Sequence, residues 1–99
     1  MKIILLEDEH LLNNNIKEYL ELKGLNVEAY FDGAELLKNS NFEANLAILD
    51  IEVPGASGLE VIEWIKRVDE NLPVIFITAY TDIKSIEKAY KLGCSDYLK

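Results

Sequence analysis

The sequence predicts an α/β fold, a doubly wound five-stranded parallel sheet forming one domain over residues 1–99. Three observations predict it. Apolar runs alternate with helix-period segments from end to end. Three of those runs, Ile3 to Leu6, Leu46 to Leu49 and Val74 to Ile77, are apolar without a break, as strands covered on both faces of a parallel sheet are. Nothing between them reads as a linker or a repeat, and 99 residues, nearly half of them apolar, suffice for one core but not two.

The elements follow in order. Ile3 to Leu6 is a buried strand that ends at Glu7-Asp8, too short and too weakly basic in its flank for a signal peptide or a membrane span. Leu12, Ile16, Tyr19 and Leu20 recur at helical spacing and predict an amphipathic helix with those residues inward. Leu25-Asn26-Val27-Glu28-Ala29 alternates, as a strand at the sheet edge does. Asp32-Gly33-Ala34-Glu35 has the form of a capping box that opens a short helix through Leu36 and Leu37. After the third strand, Leu59, Ile62 and Ile65 mark a third helix, with Trp64 packed partly against the sheet. Ile83, Ile86 and Tyr90 mark a fourth helix, which Gly93 closes before the last strand. Such a βα alternation implies right-handed crossovers with helices on both faces.

Composition excludes several function classes. A net charge of −8 repels nucleic acid, so no direct nucleic-acid binding is expected of this domain. A single cysteine, Cys94, forms no internal disulfide, which makes the cytoplasm the default location. His10 at the opening of the first helix reads as a surface residue, and Pro54-Gly55 as turn chemistry.

In an open α/β sheet, function gathers at the carboxyl ends of the strands, where strand order reverses. Glu7 and Asp8 follow the first strand, Asp50 the third and Thr78 the fourth, so all share one rim. Taken singly, each has a bland reading as a solvated loop, a helix cap or a strand-end hydroxyl. Taken together, clustered carboxylates repel one another unless a proton or a cation offsets their charge. Mg²⁺ suits them, being a hard ion held by one or two carboxylates alongside a phosphate oxygen.

Four segments then carry a resemblance that covers essentially the whole chain. They are Ile4-Leu5-Leu6-Glu7-Asp8-Glu9, Leu49 to Gly55 with Gly58-Leu59-Glu60, Pro73 to Tyr80, and Gly93 to Leu98. Together they resemble the receiver domain of two-component response regulators. The resemblance implies the flavodoxin-like strand order 2-1-3-4-5. It implies that Asp50 is the phosphoacceptor, a carboxylate nucleophile that becomes an acyl phosphate by transfer from a sensor histidine kinase. Glu7 and Asp8 match the acidic pair that holds Mg²⁺, with Asp8 as the direct ligand. Glu52 matches the position that lends a backbone carbonyl to the metal. Thr78 matches the hydroxyl that reaches toward the phosphoryl group, and Tyr97 the aromatic that changes rotamer with it. Readout is expected on the face of the fourth helix, Asp82 to Leu92, and the last strand, with transcription regulation as the output of a longer parent protein.

One part of the pattern departs from the family, which places an essential lysine three positions after the switch aromatic and then a fifth helix. The chain ends two positions after Tyr97, and Lys99 shares a strand face with Tyr97 whereas the family lysine lies opposite. A domain incomplete at its C-terminal side, self-associating through the surface left by that helix, is therefore expected. Two other functions compete with the switch: a docking module of the same fold that is never phosphorylated, and a Mg²⁺-dependent phosphatase using Glu52 as acid/base after an aspartyl-phosphate.

Overall fold

The computed structural model describes residues 1–50 and 58–77, and the backbone of 96–98. Its elements are β1 (Lys2–Leu6), α1 (His10–Leu22), β2 (Asn26–Tyr30), α2 (Gly33–Asn39), β3 (Leu46–Asp50), α3 (Gly58–Val68), β4 (Val74–Ile77) and the short β5 (Asp96–Leu98). The strands are parallel and lie in the order β2-β1-β3-β4-β5. From β1 the chain first steps outward to β2 and then returns past β1 to β3, so order reverses between β1 and β3. The fourth helix expected over Asp82 to Leu92 lies outside the described residues.

Local signals explain most of the boundaries. Glu9 caps α1 by accepting from the N–H groups of Leu11 and Leu12, at 3.2 and 2.9 Å. At the other end Gly24 takes φ +84°, a left-handed conformation that glycine adopts without strain. Its N–H donates to the Glu21 carbonyl, and the Leu25 N–H donates to that of Leu20, the double closure that turns a helix into the next strand. Asp32 caps α2 by accepting from Ala34 and Glu35 at 2.7 and 3.2 Å, as its part in a capping box requires.

The main core lies on one face of the sheet. Ile4 and Leu6 of β1, Ala47 and Leu49 of β3, and Val74 and Phe76 of β4 meet Leu36 of α2 and Val61, Ile62 and Ile65 of α3 there. Ile3 and Leu5 alternate to the other face and are buried on the side of α1, which packs on β1 and β2. Strand β1 is thus covered on both faces. By contrast, β3 and β4 alternate between buried and partly buried residues, although their sequences are as apolar as that of β1. Their parity is legible only once the helices are in place.

Two expectations change. The inward face of α1 is formed by Asn13, Ile16, Lys17 and Leu20, whereas Leu12 and Tyr19 are 39% and 62% exposed. Both patterns fit the helical period, but the residue over the sheet is set by how the chain leaves β1, and that turn rotates α1 to bury Asn13. Trp64, expected partly against the sheet, is half-exposed and has the Arg67 guanidinium 5.4 Å from its ring centre. Val61, Ile62 and Ile65 fill the core side of α3 without it.

Candidate functional site

The register of the sheet builds the site. Leu6 lies beside Leu49 across the β1–β3 pair, so the next residue along each strand direction, Glu7 and Asp50, emerges at the same rim. This rim is the point where strand order reverses, the usual crevice of such sheets. One carboxylate oxygen each from Glu7, Asp8 and Asp50 lies within 4.8 Å of the others. Glu7 is buried, Asp50 partly buried and Asp8 exposed, so the cluster runs from the sheet edge out to solvent.

The turn after β1 is held by hydrogen bonds at nearly every residue. The Glu7 N–H donates to the Tyr30 carbonyl at 3.1 Å. Its carboxylate accepts from the Glu9 N–H at 3.0 Å, and its own carbonyl accepts from the Asn13 amide at 2.9 Å. His10 stacks on Phe31 with ring centres 4.1 Å apart, joining this turn to the one after β2.

Crowding of anions has an electrostatic consequence. Burial pushes the Glu7 carboxyl from an ordinary 4.5 up to about 7; the Asp50 charge and carboxyl hydrogen bonds with Asp8 and Asp50 push the same way, against the Glu9 N–H. A proton therefore relieves the cluster near neutral pH. A divalent cation can do the same, and three carboxylates offering oxygen alone form a donor set that fits a hard ion.

Of the residues singled out from the sequence, Glu7, Asp8 and Asp50 are brought together. Tyr97 falls on β5, its backbone in register with Phe76 of β4. Glu52 and Thr78 lie outside the described residues. Sequence reasoning missed Asn13, to which it gave no role beside Leu12, Ile16, Tyr19 and Leu20. The signal was there: Asn13 sits three and seven positions before Ile16 and Leu20, on the apolar stripe itself.

The chain matches the response regulator receiver domain over residues 3–99. It belongs to that family. Among the family's curated members it is 44% identical over 100 residues to the transcriptional regulatory protein CrdR of Helicobacter pylori, a match covering 99% of this chain and 47% of CrdR. The receiver domain thus spans less than half the length of the curated relatives it matches. Among solved structures, the BeF₃-activated receiver domain of DrrB, a Thermotoga maritima protein, superposes with a TM-score of 0.89 at 26% identity, covering 99% of this chain and 82% of that one. The response regulator TrrA of Thermotoga maritima, solved in complex with Mg²⁺-BeF, superposes at 0.82 with 32% identity, covering 98% and 84%. Among the described residues, no helix is long and apolar enough to cross a membrane.

Proposed function

We propose that this receiver domain is a phosphorylation-dependent switch in which Asp50 accepts a phosphoryl group from a sensor histidine kinase. The observation that carries the reading is the convergence of Glu7, Asp8 and Asp50 at the reversal point of the sheet. Likeness to a relative solved with Mg²⁺ and a beryllium fluoride, a tetrahedral analogue of a phosphoryl group, supports it.

In the transfer, an Asp50 carboxylate oxygen forms a bond to phosphorus while the bond from phosphorus to the donor nitrogen or oxygen breaks, and the leaving group keeps that electron pair. Glu7 and Asp8, with Asp50 itself and the Glu52 backbone carbonyl, would hold Mg²⁺. The bound ion would supply positive charge for the phosphoryl oxygens, which this acidic rim cannot. Glu7 must lose its proton for that, which couples occupancy of the site to pH. Thr78 would then donate its hydroxyl to the phosphoryl group, and Tyr97 would follow by a change of rotamer, favouring one of two states as added charge and acceptor oxygens do.

Beyond the rim, we propose that the chain works in the cytoplasm as part of a longer regulator of transcription, as its likeness to the longer transcriptional regulatory protein CrdR suggests. DNA contact would fall to another part, since a net charge of −8 opposes it here.

Incubation with acetyl phosphate and Mg²⁺, followed by intact-mass measurement, tests the reading. Expected is a gain of one phosphoryl group that disappears in Asp50→Asn and with EDTA. A folded protein that gains no mass would favour the docking module. Continuous release of phosphate from a small ester would favour the phosphatase.

A further inference from the structure

Asn13 is the one polar side chain of α1 that is fully buried among the described residues. Its Nδ2 donates to the carbonyl of Glu7 at 2.9 Å and to that of Tyr30 at 3.0 Å. The Tyr30 carbonyl also accepts the Glu7 N–H. One amide therefore ties the exit of β1 to the exit of β2, and Glu7 is gripped through both its N–H and its carbonyl.

The same side chain leaves its Oδ1 buried with no hydrogen-bond partner. Turning the amide over would aim that oxygen at two carbonyls, so the orientation is dictated by its neighbours. A buried acceptor without a donor opposes folding, and a leucine at this point of an apolar stripe would avoid the problem. Packing of α1 thus gives no reason for an asparagine, whereas placement of the acidic turn does. Few side chains bring two N–H donors to two carbonyls from one helix position, and the glutamine arm is longer by a methylene.

We infer that Asn13 is a positioning residue for the acidic site: by holding the backbone of Glu7, it keeps the Glu7 and Asp8 carboxylates converged with Asp50. The inference rests on the reading of that cluster as a Mg²⁺ site. Asn13 does not touch the ion. It acts as the partners behind metal ligands do, whose loss weakens metal affinity by about 10- to 100-fold while the ligands remain.

The test compares the whole chain with Asn13→Leu, measuring Mg²⁺ affinity by calorimetric titration. The thermal midpoint and amide exchange at Glu9, whose N–H rests on the Glu7 carboxylate, are measured without metal. Expected is Mg²⁺ binding weakened about tenfold, with faster exchange at Glu9 and a modest fall in the metal-free midpoint, since the variant removes the orphaned oxygen but also takes the amide donor from the Glu7 carbonyl. Unchanged affinity and unchanged Glu9 exchange would overturn the proposal, as would a fall in midpoint alone. If Asn13→Leu does not fold, Asn13→Ser, which removes the amide and leaves room for water, is measured in its place. Failure of both to fold would make Asn13 a residue of the fold and overturn the proposal equally. A folded wild type that binds no Mg²⁺ would remove the metal reading, and the Glu9 exchange would then judge Asn13 alone.

Discussion

The core beneath the sheet and the rim above it are built on opposite terms. In the core, Leu49, Val61, Ile65 and Phe76 are apolar, fully buried and packed on one another. At the rim, a buried glutamate faces an aspartate, and a buried amide keeps one oxygen without a partner. The same strands supply both, since β3 contributes Leu49 to the core and Asp50 to the rim. Stability is concentrated on one side so that an unfavourable arrangement can be kept a residue away.

The largest test of that contrast is Phe76→Ala. It should lower unfolding free energy by about 3–5 kcal/mol in urea titrations while leaving the Mg²⁺ affinity of the folded fraction unchanged. A loss under about 1 kcal/mol would mean that the core does not rest on this face.

Glu7→Gln should do the reverse. Glu7 has a folded-state value near 7 against an ordinary 4.5, so the folded chain holds a proton there that the unfolded chain gives up. Its favourable contribution is complete below about 4.5 and is lost as pH rises through about 7. Metal-free wild type should therefore weaken over that window by something on the order of 2 kcal/mol. The glutamine variant should weaken less, while binding Mg²⁺ more poorly. Parallel pH curves for the two proteins would remove Glu7 as the source.

Smaller effects sharpen the edges. Asp32→Ala removes the cap of α2 and should cost about 1 kcal/mol, read as a lower denaturation midpoint at unchanged slope. Tyr19→Ala should cost only about 0.5 kcal/mol, because Tyr19 is 62% exposed. A loss of several kcal/mol there would restore the inward face first read from the sequence.

Much of this architecture was legible because period and punctuation agree. Val74 to Ile77 and Leu46 to Leu49 are strands as expected, Asp32 caps its helix, and the polar residues closing β1 and β3 do converge. The rotation of α1 was not legible. Leu12 and Tyr19 satisfy the helical period as well as Asn13 and Leu20 do, and a hydrophobic count always prefers a leucine to an asparagine. Deciding between them needs the two strand-end carbonyls that Asn13 serves, and these come together only through pairing of β1 with β2. The raised value of Glu7 was foreseeable as repulsion among carboxylates; that burial is its larger cause was not, because burial depends on how the turn folds over the sheet.

The pairing of Leu6 with Leu49 makes the sheet a ruler. A single residue inserted into β1 would advance Glu7 by about 3.3 Å against Asp50 and exchange the two faces of the strand, since side chains alternate with a period of two. Length changes in β1 or β3 should thus be rejected outright, even as glycines. The segment between α2 and β3 sets no such distance, because Asn45 follows it and anchors to Lys2 through both backbone and side chain. In a library of insertions screened for Mg²⁺ binding, tolerated lengthening should gather ahead of Asn45 and stop abruptly at the first paired residue of β3.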